Sequence, residues 1–139
     1  MSEQEPTRRH VRVREVMTPS PHVIDGLSSV HDAIEHMRET GVGSLIIERR
    51  HEGDEYGMLS VHDIAAQVIA EGRSPRRTSV YEIMSKPVLT VGVDMDVRYA
   101  IRLLTRFRLT RALVVDQGDM VGIVTLRDIA IRVTIGAED

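Results

Sequence analysis

The chain has 139 residues and a mass of 15.6 kDa, with 42% hydrophobic and 28% charged residues, which fits one globular domain or two very small ones rather than a disordered chain. It has no Cys and no Trp, a single Phe (Phe107) and three Tyr. This excludes a disulfide framework, a thiolate metal site, a cysteine nucleophile and the aromatic platforms that stack single-stranded nucleic acid. The formal charge of −3 gives no bulk attraction to nucleic acid, no apolar run approaches the roughly 18 residues of a membrane span, and the charged first fifteen residues lack a signal-peptide core; a cytoplasmic protein without membrane insertion is expected.

The charge is unevenly placed. Residues 1–70 carry seven Arg against twelve Asp and Glu; residues 71–139 carry ten Arg and Lys86, the only lysine, against nine acids. An Arg-rich cation set reads either as codon usage or as planar, bidentate recognition of phosphate.

In chain order, residues 1–11 form a tail. A helical turn is expected over 12–17 and an extended segment over 21–24. An amphipathic helix over 29–40 follows, with Ser29 and Asp32 spaced for a capping box. Two apolar strands, 44–48 and 57–61, join through the polar turn His51-Glu52-Gly53-Asp54-Glu55. A helix over 62–71 ends at Gly72, and 72–78, with Pro75 and three Arg, reads as a linker. The series then recurs: a helical turn over 79–84, an extended segment over 87–91, and a helix over 96–107 capped by Asp94 or Asp96. Strands 111–115 and 121–125 turn at Gln117-Gly118-Asp119. A helix over 127–135 ends at Gly136, leaving 136–139 as a tail. The order is β-α-β-β-α, twice, an α/β (α+β) chain of small sheets packed against helices.

The recurrence is visible residue by residue. Displaced by 67 positions, Val16-Met17-Thr18 falls on Ile83-Met84-Ser85, and Val30, Ala33, Ile34 and Met37 fall on Val97, Ala100, Ile101 and Leu104. Those are positions i, i+3, i+4 and i+7 of one helix face. After two extra residues in the 51–55 turn the offset becomes 65. Gly57-Met58-Leu59-Ser60-Val61-His62-Asp63 then falls on Gly122-Ile123-Val124-Thr125-Leu126-Arg127-Asp128. Two copies are too few for a solenoid, so a pseudo-symmetric pair is expected. Met17, Met37, Met58 and Met84 sit at core spacing.

Each copy resembles a CBS motif, and the chain resembles a tandem CBS pair, or Bateman module, with repeats at 12–71 and 79–135. The resemblance rests on Val-Met-Thr-Pro at 16–19 and Ile-Met-Ser-Lys at 83–86. It rests also on the strand Ala112-Leu113-Val114-Val115-Asp116 after Arg111, on the Gly-h-h-Ser/Thr-x-x-Asp runs at 57–63 and 122–128, and on the spacing of the two copies. It implies two α/β halves about a pseudo-twofold axis, with two clefts between them. It further implies an adenosine-containing ligand (AMP, ADP, ATP or S-adenosylmethionine), regulation of an enzyme or transporter, and a homodimer. No cofactor is required.

The Ser/Thr-x-x-Asp spacing has its own chemistry. The hydroxyl closes a strand and the carboxylate lies in the first turn of the next helix. Asp can accept both hydroxyls of a ribose, and the helix N-terminus favours a phosphate. By residue type alone, Asp63 and Asp128 read as helix caps, and it is the duplicated run that turns the reading to a ligand; Thr18 and Ser85 could equally be turn residues. The resemblance assigns one ligand cleft to Thr18, Val23, Ile24, Thr110, Arg111, Ile123, Thr125, Arg127 and Asp128. It assigns the second to Gly43, Ser44, Ser60, His62, Asp63, Ser85, Thr90 and Val91. The clefts differ in charge: where the first has Arg111 and Arg127, the second has Ser44 and His62, and so fewer permanent cations. The Asp128 cleft is therefore expected to hold a phosphorylated ligand more tightly.

Other chemistry is scarce. His31 and Glu35 share a helix face without a third metal ligand. Arg98, Arg102 and Arg106 read as a solvated helix face, and a nucleic-acid role is not expected. Gly41-Val42-Gly43-Ser44 follows a helix and precedes a strand, the reverse of a dinucleotide fingerprint. No paired catalytic carboxylates, P-loop or nucleophile elbow is present, so an enzyme is not expected. The competing reading is an interaction or dimerisation module with non-binding clefts, which Gly43, Ser44 and Lys86 favour.

Overall fold

The computed structural model describes residues 10–137. The chain divides into two units, one made of Met1–Pro21 with Leu89–Asp139, the other of His22–Val88. Each has its own hydrophobic core.

In the first unit a single 3-10 turn, Val13–Glu15, buries Val13. Its backbone is bonded to a segment far along the sequence, Val13 N to Met95 O at 2.9 Å and Arg14 N to Val93 O at 3.0 Å. Strand β1 (Thr18–Pro19) then pairs antiparallel with β6 (Asp119–Thr125). β6 pairs antiparallel with β5 (Arg111–Asp116), which pairs in parallel with β4 (Thr90–Gly92). The sheet order is β1-β6-β5-β4. Helix α4 (Val97–Arg106) buries Val97, Ala100 and Leu104 against it, the face its apolar period selects. Helix α5 (Leu126–Ala137) follows β6 directly and adds Ile129 to the core.

The second unit repeats the plan with less regular strands. Helix α1 (Val30–Thr40) buries Val30, Ala33 and Met37. Strands β2 (Ser44–Ile47) and β3 (Gly57–Ser60) pair antiparallel. Val23 bridges Ile46 in parallel and Ser85 bridges Met58 antiparallel, so the edges are filled as β4 and β1 fill them in the first sheet. Helix α2 (Val61–Ile64) continues as a π-helical stretch, Ala65–Ile69, and Gly72 follows at φ +68°. Helix α3 (Val80–Ile83) buries Val80 and Ile83.

Mixed α/β architecture with small sheets against helices is what the sequence leads one to expect. Three details differ. The N-terminal extended segment forms its strand at Thr18–Pro19, with only Val23 pairing in the expected 21–24 stretch, because its partners lie about a hundred residues away. Ser29 caps α1 by accepting from Asp32 N at 3.0 Å, but the reciprocal bond of a capping box is not formed among the described residues; Asp32 lies instead 3.8 Å from His31. Helix α5 runs through Gly136 to Ala137, since a glycine stops a helix only where the chain adopts a left-handed turn. Segment 72–78 is mostly exposed and is anchored at its end by Thr78, 3% exposed, whose carbonyl accepts from Val30 N and whose hydroxyl donates to Ser74 O.

Candidate functional site

In the first unit, the end of β6 and the start of α5 build one corner. The β5–β6 register sets Arg111 opposite Thr125, and the β1–β6 register sets Thr18 opposite Ile123. Leu126 N donates to Thr110 O at 2.8 Å, tying the helix start to the strand start. Thr125 Oγ1 accepts from Asp128 N at 3.0 Å, which fills one of the free donors of the helix terminus. Thr18, Thr110, Arg111, Ile123, Thr125, Arg127 and Asp128 are thereby gathered in one unit. Asp128 is half-buried and Arg127 exposed. Among the described residues the Asp128 carboxylate accepts no hydrogen bond and Arg127 forms no ion pair.

The second unit builds the same corner. Ser44 faces Ser60 across β2–β3, Val61 N donates to Gly43 O at 3.1 Å, and Ser85 bridges Met58. His62 is exposed in the first turn of α2. Asp63 differs from Asp128. Its carboxylate accepts from Ser60 N, and Ser60 Oγ accepts from Asp63 N, both at 3.1 Å. The reciprocal capping box therefore forms here, and the carboxylate is spent on the helix end.

Two pairs of site residues lie in the unit opposite to their assigned partners. Val23 and Ile24 belong with β2 and Asp63, while Thr90 and Val91 pair with Leu113 and Val114, in the unit of Asp128. Val91 is 1% exposed, a core side chain. Val23 and Ile24 instead line a groove of about 910 Å³ with Ile47, Tyr81, Met84 and Lys86.

Beside that groove is a charge cluster that sequence reading missed. Asp54 Oδ2 accepts from Arg50 N at 2.9 Å and from Arg50 Nε at 3.0 Å, and Lys86 Nζ lies 2.9 Å from Asp54 Oδ1. The hydrogen bond from the Arg50 guanidinium, with the Lys86 ammonium, holds the Asp54 carboxyl well below the usual carboxylate range. The only signals in the sequence are the two-residue insertion that carries Asp54 and the lone lysine. At the start of α4, Asp96 caps the helix by accepting from Arg98 N at 2.8 Å, and the Arg98 side chain holds its carboxyl low. Arg98 is thus paired, and Arg102 lies over Tyr99 at 5.3 Å; Glu35 pairs with Arg38.

The fold and its two corners define a duplicated mixed α/β module with a Ser/Thr-x-x-Asp junction in each copy. The CBS domain model matches residues 13–70 and 80–134, and the chain belongs to that family, as a CBS pair. CBS pairs are regulatory modules. An uncharacterized protein of Methanopyrus kandleri is 36% identical over 118 residues, covering 84% of this chain. The chain spans 57% of that relative's length. A hexameric CBS-CP12 protein from bloom-forming cyanobacteria matches with a TM-score of 0.86 and 36% identity, over 91% of this chain and 73% of its own. The CBS domain pair of protein MJ0100, in complex with 5′-methylthioadenosine and S-adenosylmethionine, shares the fold at a TM-score of 0.78 and 23% identity, over 94% of this chain and all of its own. No helix among the described residues is long and apolar enough to cross a membrane.

Proposed function

We propose that the chain is a sensor that binds an adenosine-containing ligand at the Asp128 corner and passes its occupancy to a regulated enzyme or transporter. The observation that carries this is the contrast between the two aspartates. Asp63 is consumed by its own helix cap. Asp128 keeps its carboxylate available beside Arg127, at a junction where a strand hands over to a helix N-terminus. A free carboxylate accepts a ribose diol, and a helix N-terminus with Arg127 and Arg111 receives a phosphate. The adenosine-type ligands of MJ0100 support the ligand class. The Asp63 corner, with one carboxylate spent and no permanent cation in its first turn, is the weaker site. Self-association belongs to the same proposal, supported by the hexameric relative.

The test is a thermal-shift and calorimetric panel of AMP, ADP, ATP, S-adenosylmethionine, NAD and GTP. A ligand at about 100 times its Kd adds roughly 2.7 kcal/mol of stability. At least one adenosine ligand is expected to stabilise the wild-type chain. Asp128→Ala is expected to abolish that shift and Asp63→Ala to leave most of it. No shift with any ligand, or binding indifferent to Asp128→Ala, overturns the reading and leaves an interaction module whose corners do not bind.

A further inference from the structure

His22 and His36 come from different elements and meet at their ring nitrogens. His22 Nδ1 lies 3.3 Å from His36 Nε2, with ring centroids 5.4 Å apart and ring planes nearly perpendicular at 89°. Neither position is loose. His22 O accepts from Ile46 N at 2.8 Å and Ile24 N donates to Ile46 O at 2.9 Å, so residues 22–24 lie as an edge along β2. His36 sits within α1, and its carbonyl accepts the Thr40 hydroxyl at 2.8 Å.

Two zinc-bound nitrogens, each roughly 2.0–2.1 Å from the ion, stand roughly 3.3–3.4 Å apart when the coordination is tetrahedral. The observed separation matches without movement of either backbone. No other His, Asp or Glu among the described residues completes a set of three, so the two imidazoles would be the protein's ligands and water would take the remaining positions. Imidazole donors suit Zn²⁺, Ni²⁺ and Cu²⁺ and disfavour Mg²⁺ and Ca²⁺. The other ring nitrogens, His22 Nε2 and His36 Nδ1, have no partner among the described residues. Both rings can therefore offer the facing nitrogen as a lone pair, and the site lacks the outer hydrogen bonds that strengthen closed metal centres.

We propose that His22 and His36 form a two-histidine site for a borderline divalent ion, which clasps the 22–24 edge to α1. The site stands apart from the nucleotide reading, since neither residue belongs to the Asp128 corner. The experiment is calorimetric titration of the whole, nucleotide-free chain with ZnCl₂ at neutral pH, repeated with MgCl₂. One zinc per chain and no magnesium binding are expected. His22→Asn and His36→Gln should each weaken zinc binding by more than the roughly 10–100-fold that follows loss of an outer-sphere partner. His31→Gln and His62→Gln should leave it unchanged. Zinc affinity maintained in either site variant, or no binding by the wild-type chain, overturns the proposal. Should a variant fail to fold, the EPR spectrum of the wild-type chain with one equivalent of Cu²⁺ decides: two coordinated imidazoles support the site, and fewer overturn it.

Discussion

Asp54 sits in the turn between β2 and β3 and holds two cations at once, Arg50 and Lys86. A carboxyl whose folded value lies below its unfolded one contributes stability above the unfolded value, and that contribution fades as pH falls through the folded value. For Asp54 the direction is downward. Its contribution should thus be intact at neutral pH and begin to fade below about 4, the ordinary Asp range. Melting temperatures of wild type and Asp54→Asn between about pH 3 and 7 test this. The wild type should be the more stable at neutral pH, with the gap closing on acidification; a gap constant across the range would refute it. In the sequence only the inserted turn and the lone lysine marked Asp54, because its second partner is set by where Lys86 returns to β3. Asp63 and Asp128 were legible as a matched pair. Their difference was not, since it depends on whether a carboxylate bends back to its own helix cap.

At the scale of elements, the helices were the most legible features. The i, i+3, i+4, i+7 pattern placed α1 and α4 within a residue of their observed bounds, because the period is local and each helix buries one face. Strand β1 escaped notice because two residues show no period. Its presence explains the glycine of the repeated run. A Cβ at Gly122 would lie 2.8 Å from Thr18 O and 2.7 Å from Met17 Sδ. The backbone oxygen has no room to yield, so Gly122→Ala must push β1 away from β6, at a cost of about 1–3 kcal/mol. At Gly57 the tight contact is the flexible Met84 Sδ at 2.9 Å, with Ser85 O at 3.4 Å, and at Gly92 nothing lies within 4 Å. Chemical denaturation should therefore rank the losses Gly122→Ala, then Gly57→Ala, with Gly92→Ala close to neutral. Because Gly122→Ala also displaces Thr18, it should weaken ligand binding at the Asp128 corner. Equal losses at Gly122 and Gly92 would rule out the close approach as the cause.

For the molecule as a whole, the two units do not follow the two sequence repeats. The turn Val13–Glu15 and strand β1 precede the first repeat's helix, yet they complete the sheet of the second repeat's strands. Val13 and Val16 lie in that core at 0% and 3% exposure, and burial of each such side chain is worth about 1.5–3 kcal/mol. A fragment of residues 79–139 should consequently melt without cooperativity, and adding a peptide of residues 10–21 should restore the transition. A fragment of residues 22–88, which holds its own core, should melt more cooperatively than one of residues 12–71. Circular dichroism melts check both; a cooperative transition in 79–139 alone would contradict this account. The sequence by itself determined the helices and the longer strands, their duplication, the family and the candidate ligand-binding residue types, because side-chain period and motif spacing are local properties of the chain. Only the tertiary structure decided which N-terminal segment completes which sheet, which aspartate keeps its carboxylate free, and that His22 meets His36. The first and last depend on contacts between residues well separated in sequence, and the second on whether a carboxylate turns back onto its own helix cap; residue type and spacing encode none of these.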